Sequence, residues 1–296
     1  MLTFTEKIVF AVLMLISAAL TYRGVRRIVR QIASGQGKID WSLAPKRIGE
    51  LISKYIFFTP VFRFRLWVSV LHAFIGWGFF VYVIVNLNEL IFAYANVNVL
   101  HQTGLPGDLF RFLAEFLSFA LMLSMIGLSI RRYIFNPATL RTRDTTLLDP
   151  RARRGITIDS AIVTATFFTH TLARVLAESF YLARHGVSDA WQPLTSAIAR
   201  LWANMPQTQL LFDERLMFWI SLGLVFAFLP YFPYSKHMHL FVAPLNFALK
   251  PERKSMGQLS YIDLDDQSIE QFGAAKMSDL GWEQIMDAYA CIQCFR

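Results

Sequence analysis

A chain of 296 residues that is 55% hydrophobic and only 17% charged is not an ordinary soluble domain. Its formal charge of +8 raises nucleic acid as a partner, but the basic residues are spread over several separate polar segments and lie on no single recognition element, which argues against that class. The two cysteines, Cys291 and Cys294, form one C-x-x-C pair at the end of the sequence, so no disulfide framework is expected in the segments between the apolar blocks.

The apolar letters come in five blocks that meet or approach the roughly 20 residues a helix needs to cross a bilayer. The first is "IVFAVLMLISAAL" with its flanks. Its positive charges follow the apolar run, which is the wrong order for a cleaved signal sequence. Residues from about 24 to 63 are expected to form a first inner loop, with "SGQGK" as a flexible tip. Within it, "PKRIGELISKYIFF" places Ile48, Leu51, Ile52 and Tyr55 at helical spacing, which predicts a helix lying on the inner membrane surface. The second and third blocks are "LWVSVLHAFIGWGFFVYVIVNL" and "LFRFLAEFLSFALMLSMIGLSI". The fourth, "ITIDSAIVTATFFTHTLARVLAESFYL", carries His170, Arg174 and Glu178 and is weaker on hydropathy. "SDAWQPLTSAIARLWANMPQ" follows as a short interfacial helix, with Ser188 or Asp189 as its cap. The fifth block is "LMFWISLGLVFAFLPYF". After Pro244 the chain turns polar and runs into a last helix-like stretch.

Lys and Arg gather after block one, before block two, between blocks three and four and after block five, whereas "NLNELIFAYANVNVLHQTGLPGD" has none. That is the positive-inside pattern. The expectation is an all-α membrane protein, a five-helix bundle with its N-terminus outside and its C-terminus cytoplasmic. It would be a multi-pass protein of the cytoplasmic membrane. The expected organisation is a five-span domain over residues 1–245, a cytoplasmic linker over 246–285, and the start of an iron–sulfur domain over 286–296.

Three of the six histidines lie within or at the edge of apolar blocks. His72 stands about seven residues past Arg65, roughly 10 Å into the membrane from the inner side. His237 and His239 lie in "PYSKHMHLFVAP" at the inner end of the fifth block. Two imidazoles from facing helices at similar depth are the arrangement that holds a b-type haem. Neutral imidazole suits a low-dielectric site, and Ala73, Gly76 and Gly78 leave room for a flat macrocycle. Arg65 and Arg174 are candidate propionate contacts. The blander alternative is a buried His72 hydrogen-bonded to a neighbouring helix and a solvated His239.

Thr166, His170, Arg174 and Glu178 are each four residues apart, which makes one stripe on one helix face. Arg174 and Glu178 are expected to pair. The alternatives for the stripe are a propionate clamp, a quinone contact, a proton path or a paired structural network. Quinone-site candidates are His170, Arg174, Lys236 and His237. The C-x-x-C pair by itself fits a zinc half-site, a redox dithiol or part of an iron–sulfur site.

"FPYSKHMHLFVAPLN" followed by "DLGWEQIMDAYACIQCFR" resembles the membrane-bound iron–sulfur oxidoreductases related to heterodisulfide reductase, the electron-transfer-flavoprotein:menaquinone oxidoreductases among them. In that family a five-span cytochrome b domain, similar to the nitrate reductase gamma subunit, is fused to a domain with ferredoxin motifs. The resemblance implies that Cys291 and Cys294 ligate a [4Fe–4S] cluster whose other ligands lie beyond Arg296. It implies His72 and His239 as the axial pair of one haem b. It places Tyr82 and Ser221 where a second haem would have its ligands, so one haem is expected. It implies electron exchange between a cytoplasmic flavoprotein or similar donor and menaquinone. The alternatives are a cytochrome b anchor subunit and, on the fourth-block stripe, a transporter.

Overall fold

The computed structural model describes residues 2–62, 65–97, 104–141, 145–251, 263, 265, 267–268 and 273–291. The longer helices are α1 (Phe4–Ala33), α2 (Leu66–Ala95), α3 (Leu105–Ser129), α4 (Pro150–His185), α5 (Pro193–Ala199), α6 (Gln207–Tyr231), α7 (His239–Leu249) and α8 (Trp282–Ala290). Five helical segments are long and apolar enough to cross a membrane: α1, α2, α3 with the turn that continues it to Phe135, α4, and α6 continued to Tyr234. Their lengths follow from where chemistry stops them. Asn96 ends α2 in the left-handed conformation. Asp149 caps α4 by accepting from Arg151 N at 2.7 Å, and Pro150 occupies the first helical position, where its missing N–H costs nothing.

The structure corrects the expected first inner loop. Helix α1 does not stop near residue 24 but continues through "YRGVRRIVR" to Ala33. No proline interrupts the stretch, its one glycine, Gly24, is tolerated inside a long helix, and Arg is a good helix former. The expected surface helix is also shorter: Ile48–Leu51 is α-helical, and Ile52–Ile56 forms a π-helical turn.

The chain divides into two compact units. The first comprises residues 1–18 and 60–229. In it α2 packs along α3, α3 along α4, and α4 against α5. Since lipid tails are as apolar as the helices, close packing and interhelical hydrogen bonds hold this unit together rather than water exclusion. Gly78 shows this directly. A Cβ there would meet Leu121 Cδ1 at 2.6 Å, so the glycine lets α2 and α3 approach. That corrects one expectation: the space beside Gly78 is taken by Leu121 and is not free for a macrocycle. Phe10 is fully buried, with edge contacts to Tyr94, Trp219 and Phe226 at centroid distances of 5.6, 5.9 and 4.8 Å. Lys7 Nζ donates to Tyr94 O at 2.8 Å, and Tyr94 Oη donates back to Lys7 O at 2.9 Å.

The second unit comprises residues 19–59 and 230–294. It holds the last half of α1, the Leu43–Ile56 turns, α7 and α8. Pro244 sits inside α7. A proline there has no N–H for the carbonyl four residues back, which is Leu240. Tyr55 Oη supplies that hydrogen bond instead. The helix α7 is an element that the sequence reading did not separate from the fifth block.

Candidate functional site

Two groups of side chains carry the chemistry the sequence points to, one in each unit.

In the first unit the stripe on α4 meets a matching stripe on α2. Tyr82, Asn86 and Glu89 lie at helical spacing of four and three residues, hence on one face. His170 Nδ1 lies 3.0 Å from both the main-chain oxygen and Oγ of Ser221. A carbonyl oxygen can only accept, so Nδ1 carries the proton and Nε2 is the acceptor. That Nε2 takes the Asn86 amide at 3.4 Å. The ring also stands edge-on to Tyr82 at 5.3 Å between centroids, and Tyr82 Oη is 2.6 Å from Ser118 Oγ. His170 thus fills the space between the two side chains, Tyr82 and Ser221, to which the resemblance assigned a second haem's ligand positions.

Arg174 is buried, and its Nη2 lies 3.6 Å from Glu89 Oε1. The expected Arg174–Glu178 pair is therefore corrected: Arg174 turns across to α2. Glu178 points on toward Gln192, the residue before α5; carboxylate oxygens can only accept, which assigns the Gln192 amide nitrogen to the side facing them, 3.1 Å from Glu178 Oε1 and 3.3 Å from Asp189 Oδ2. Arg174 Nε is buried and makes no hydrogen bond among the described residues. Further along, Arg111 bridges Asp108 and Asp189, both at 2.6 Å. Glu115 accepts the amides of Leu194 at 2.8 Å and Thr195 at 3.1 Å, at the start of α5. The cap of α5 is Gln192, not Ser188 or Asp189. Asp189 instead takes the Trp191 amide at 2.9 Å.

Sequence reasoning missed Asn86, Glu89, Glu115 and Gln192. Asn86 and Glu115 were findable, since they stand inside the second and third apolar blocks, where a polar or charged residue is itself a signal. Glu89 and Gln192 were not, because they fall outside the apolar blocks and their partners lie on other elements. His72 lies on α2 in this unit and is partly buried; Arg65, just before α2, is exposed.

In the second unit His239 opens α7. Its Nδ1 donates to Lys236 O at 3.0 Å, which leaves the Nε2 lone pair as the ring's acceptor or ligand atom. Metal-bound histidines are held in the same way, by a backbone carbonyl on the other nitrogen. Burial lowers the His239 pKa below the ordinary value, the Lys236 charge adds to this, and the hydrogen bond to the Lys236 carbonyl opposes it. His237 Nδ1 is 2.8 Å from Ser235 Oγ, which also accepts the His237 amide at 3.2 Å. Cys291 follows α8 with an exposed thiol, its amide bonded to Asp287 O at 3.0 Å. Cys294 lies outside the described residues. No group of three or more His, Cys, Asp or Glu side chains that could hold a metal ion forms among the described residues.

No protein-family model matches the chain, and no solved structure matches it. Two curated proteins do. A probable iron–sulfur-binding oxidoreductase, FadF, of Bacillus subtilis is 29% identical over 188 residues, which is 63% of this chain and 24% of that protein. An EtfAB:quinone oxidoreductase of Syntrophomonas wolfei is 25% identical over 238 residues, which is 76% of this chain and 30% of that protein. The aligned stretch thus spans roughly a quarter to a third of the length of these relatives. The chain is a distant relative of iron–sulfur oxidoreductases and has five helices fit to cross a membrane.

Proposed function

We propose that this chain is the membrane part of a quinone-linked oxidoreductase, in which an iron–sulfur cluster and one b-type haem carry electrons between a cytoplasmic donor and menaquinone. His72 and His239 hold the haem, with Arg65 as a propionate contact; Arg174 pairs with Glu89, seventeen residues along α2 from His72 and so about 25 Å away, which leaves it to the quinone instead. Cys291 and Cys294 are ligands of a [4Fe–4S] cluster. The bundle lies in the cytoplasmic membrane, and the donor is a flavoprotein or a protein of similar chemistry. The domain boundaries follow the sequence reading, with the five-span domain ending near residue 245.

The observation that carries this reading is the tautomer of His239. Its Nδ1–H is committed to the Lys236 carbonyl, so Nε2 has a lone pair and a fixed ring. The similarity to a quinone oxidoreductase over 76% of the chain supports the same class of chemistry. Among the quinone candidates, His170 has both ring nitrogens engaged, by Ser221 and Asn86. His237 is held by Ser235. Arg174 keeps a donor, Nε, that no described residue accepts, so it is the one suited to a quinone carbonyl. Lys236 is a partly buried cation beside His237.

The test is a reduced-minus-oxidised spectrum of the purified membrane protein. A b-type haem signal is expected, abolished by His72→Ala and by His239→Ala. A colourless wild-type protein, or a signal that survives both substitutions, overturns the reading.

A further inference from the structure

Helix α8 is a short amphipathic element of nine residues, too short to be stable alone in water. It is nevertheless tied down at several points, all within the second unit. At its start, Gln36 N donates to Leu280 O at 2.8 Å, and Trp282 N donates to Gln36 O at 3.1 Å. These two bonds form an isolated parallel bridge between Gln36 and Gly281. Gly35 lies directly beneath: a Cβ there would stand 2.7 Å from Trp282 N. Trp282, Ile285 and Met286 are all buried. On the opposite side Asp287 takes the Asn246 amide of α7 at 2.6 Å and the ammonium of Lys250, the residue that follows α7. Tyr289 reaches Gln31 on α1. Helix α8 also touches the Lys236–Met238 turn that leads into His239.

These ties share one consequence. Cys291 follows directly on α8, and α7 begins at His239, so the bonds from α8 to α7 and Lys250 set the separation between those two residues.

We propose that α8 is a clamp that holds Cys291 in fixed relation to His239, with Gly35, Trp282 and Asp287 as its positioning residues, so that electrons enter at the His239 end of the second unit. The inference rests on the oxidoreductase reading and adds to it the device that sets the transfer distance. Gly35 supplies the close approach to the Trp282 backbone. Asp287 supplies orientation, since its two oxygens are shared between Asn246 and Lys250 and fix how α8 is turned on α7.

The test uses the full protein as isolated, with Gly35→Ala and Asp287→Ala compared with wild type. Hydrogen exchange of the 282–290 amides is expected to accelerate about tenfold or more in both variants while α7 keeps its protection. In the same samples, the enhancement of haem spin relaxation by the reduced cluster, which falls with distance, is expected to drop. The haem absorption and the cluster line shape should stay as in wild type. Asp287→Asn, which keeps an acceptor for Asn246, should restore most of the coupling. Haem and cluster signals with relaxation coupling unchanged in Gly35→Ala and Asp287→Ala overturn the clamp alone. A wild-type protein with neither signal overturns the oxidoreductase reading, and the clamp's role with it.

Discussion

Ser17 Oγ donates to the main-chain oxygen of Phe226 at 2.8 Å, and that oxygen lies four residues before Pro230. Pro230 has no N–H to complete the helical bond, and in a bilayer no water replaces it. The serine on α1 therefore completes the hydrogen bonding of α6. Ser17→Ala is expected to lower stability by about 0.5–1 kcal/mol, the usual worth of an interhelical hydrogen bond in a membrane. Pro230→Ala restores the backbone donor and should make the serine dispensable. A double-mutant cycle by thermal unfolding in detergent reads the coupling, and additive effects would refute it.

Glu89 is the ion-pair partner of a buried guanidinium. Glu89→Ala leaves Arg174 charged at membrane depth without it, which is expected to cost about 3–5 kcal/mol. Replacing both, as Glu89→Leu with Arg174→Met, should recover most of that loss. The measurement is the melting temperature of the purified protein. Equal losses in the single and double variants would show that the pair is not what holds the two helices.

His170 and His72 should separate cleanly in a spectrum. His170 is engaged on both nitrogens by protein groups. His170→Phe is expected to lower the melting temperature, because Ser221 and Asn86 lose their partner, yet to leave the b-type haem band in place. Loss of that band in His170→Phe would make His170 an axial ligand.

Glu115 holds the first turn of α5 through two main-chain amides. Glu115→Ala should cost about 1–3 kcal/mol, the penalty for leaving buried donors unmet. Glu115→Gln, which keeps one acceptor, should cost less. Proteolysis within residues 187–206 would report the loosened cap, and unchanged resistance in Glu115→Ala would count against the assignment.

Tyr55 provides a pH prediction outside the membrane spans. Burial raises its pKa from the ordinary 10 to about 12. The folded state therefore keeps the phenolic proton more tightly than the unfolded chain does. The contribution is fully present below pH 10 and is lost as pH rises through about 12. Ionisation also removes the hydrogen that Tyr55 gives to Leu240 O. Wild type should lose stability between pH 10 and 12 more steeply than Tyr55→Phe. Parallel pH profiles of the two proteins would contradict this.

Much of the bundle was legible because spans are written in runs of Leu, Phe, Ile and Val, and a bilayer admits few alternatives to a helix. The stripe of His170, Arg174 and Glu178 was legible from its period. What it faces was not, because periodicity places residues on a face and says nothing of the helix across from it. So Arg174 was matched to Glu178 on its own helix, whereas the structure gives it Glu89 from α2. The end of α1 was misplaced because a change from apolar to basic residues was read as a change of conformation. Arginine continues a helix as well as leucine does. α7 was hidden by Pro244, a helix breaker unless another group serves the freed carbonyl. Here Tyr55 does so from 185 positions earlier in the chain.

The two prolines, Pro230 and Pro244, have a shared consequence for biosynthesis. Each frees an oxygen that is served by a hydroxyl from the first sixty residues, Ser17 in one case and Tyr55 in the other. Domains emerge from the ribosome amino-end first, so both donors are made and waiting before the acceptors appear. A circularly permuted gene that moved residues 1–60 to the end would reverse that sequence of events. Its product would form two proline-interrupted helices, α6 and α7, with nothing yet available to complete them.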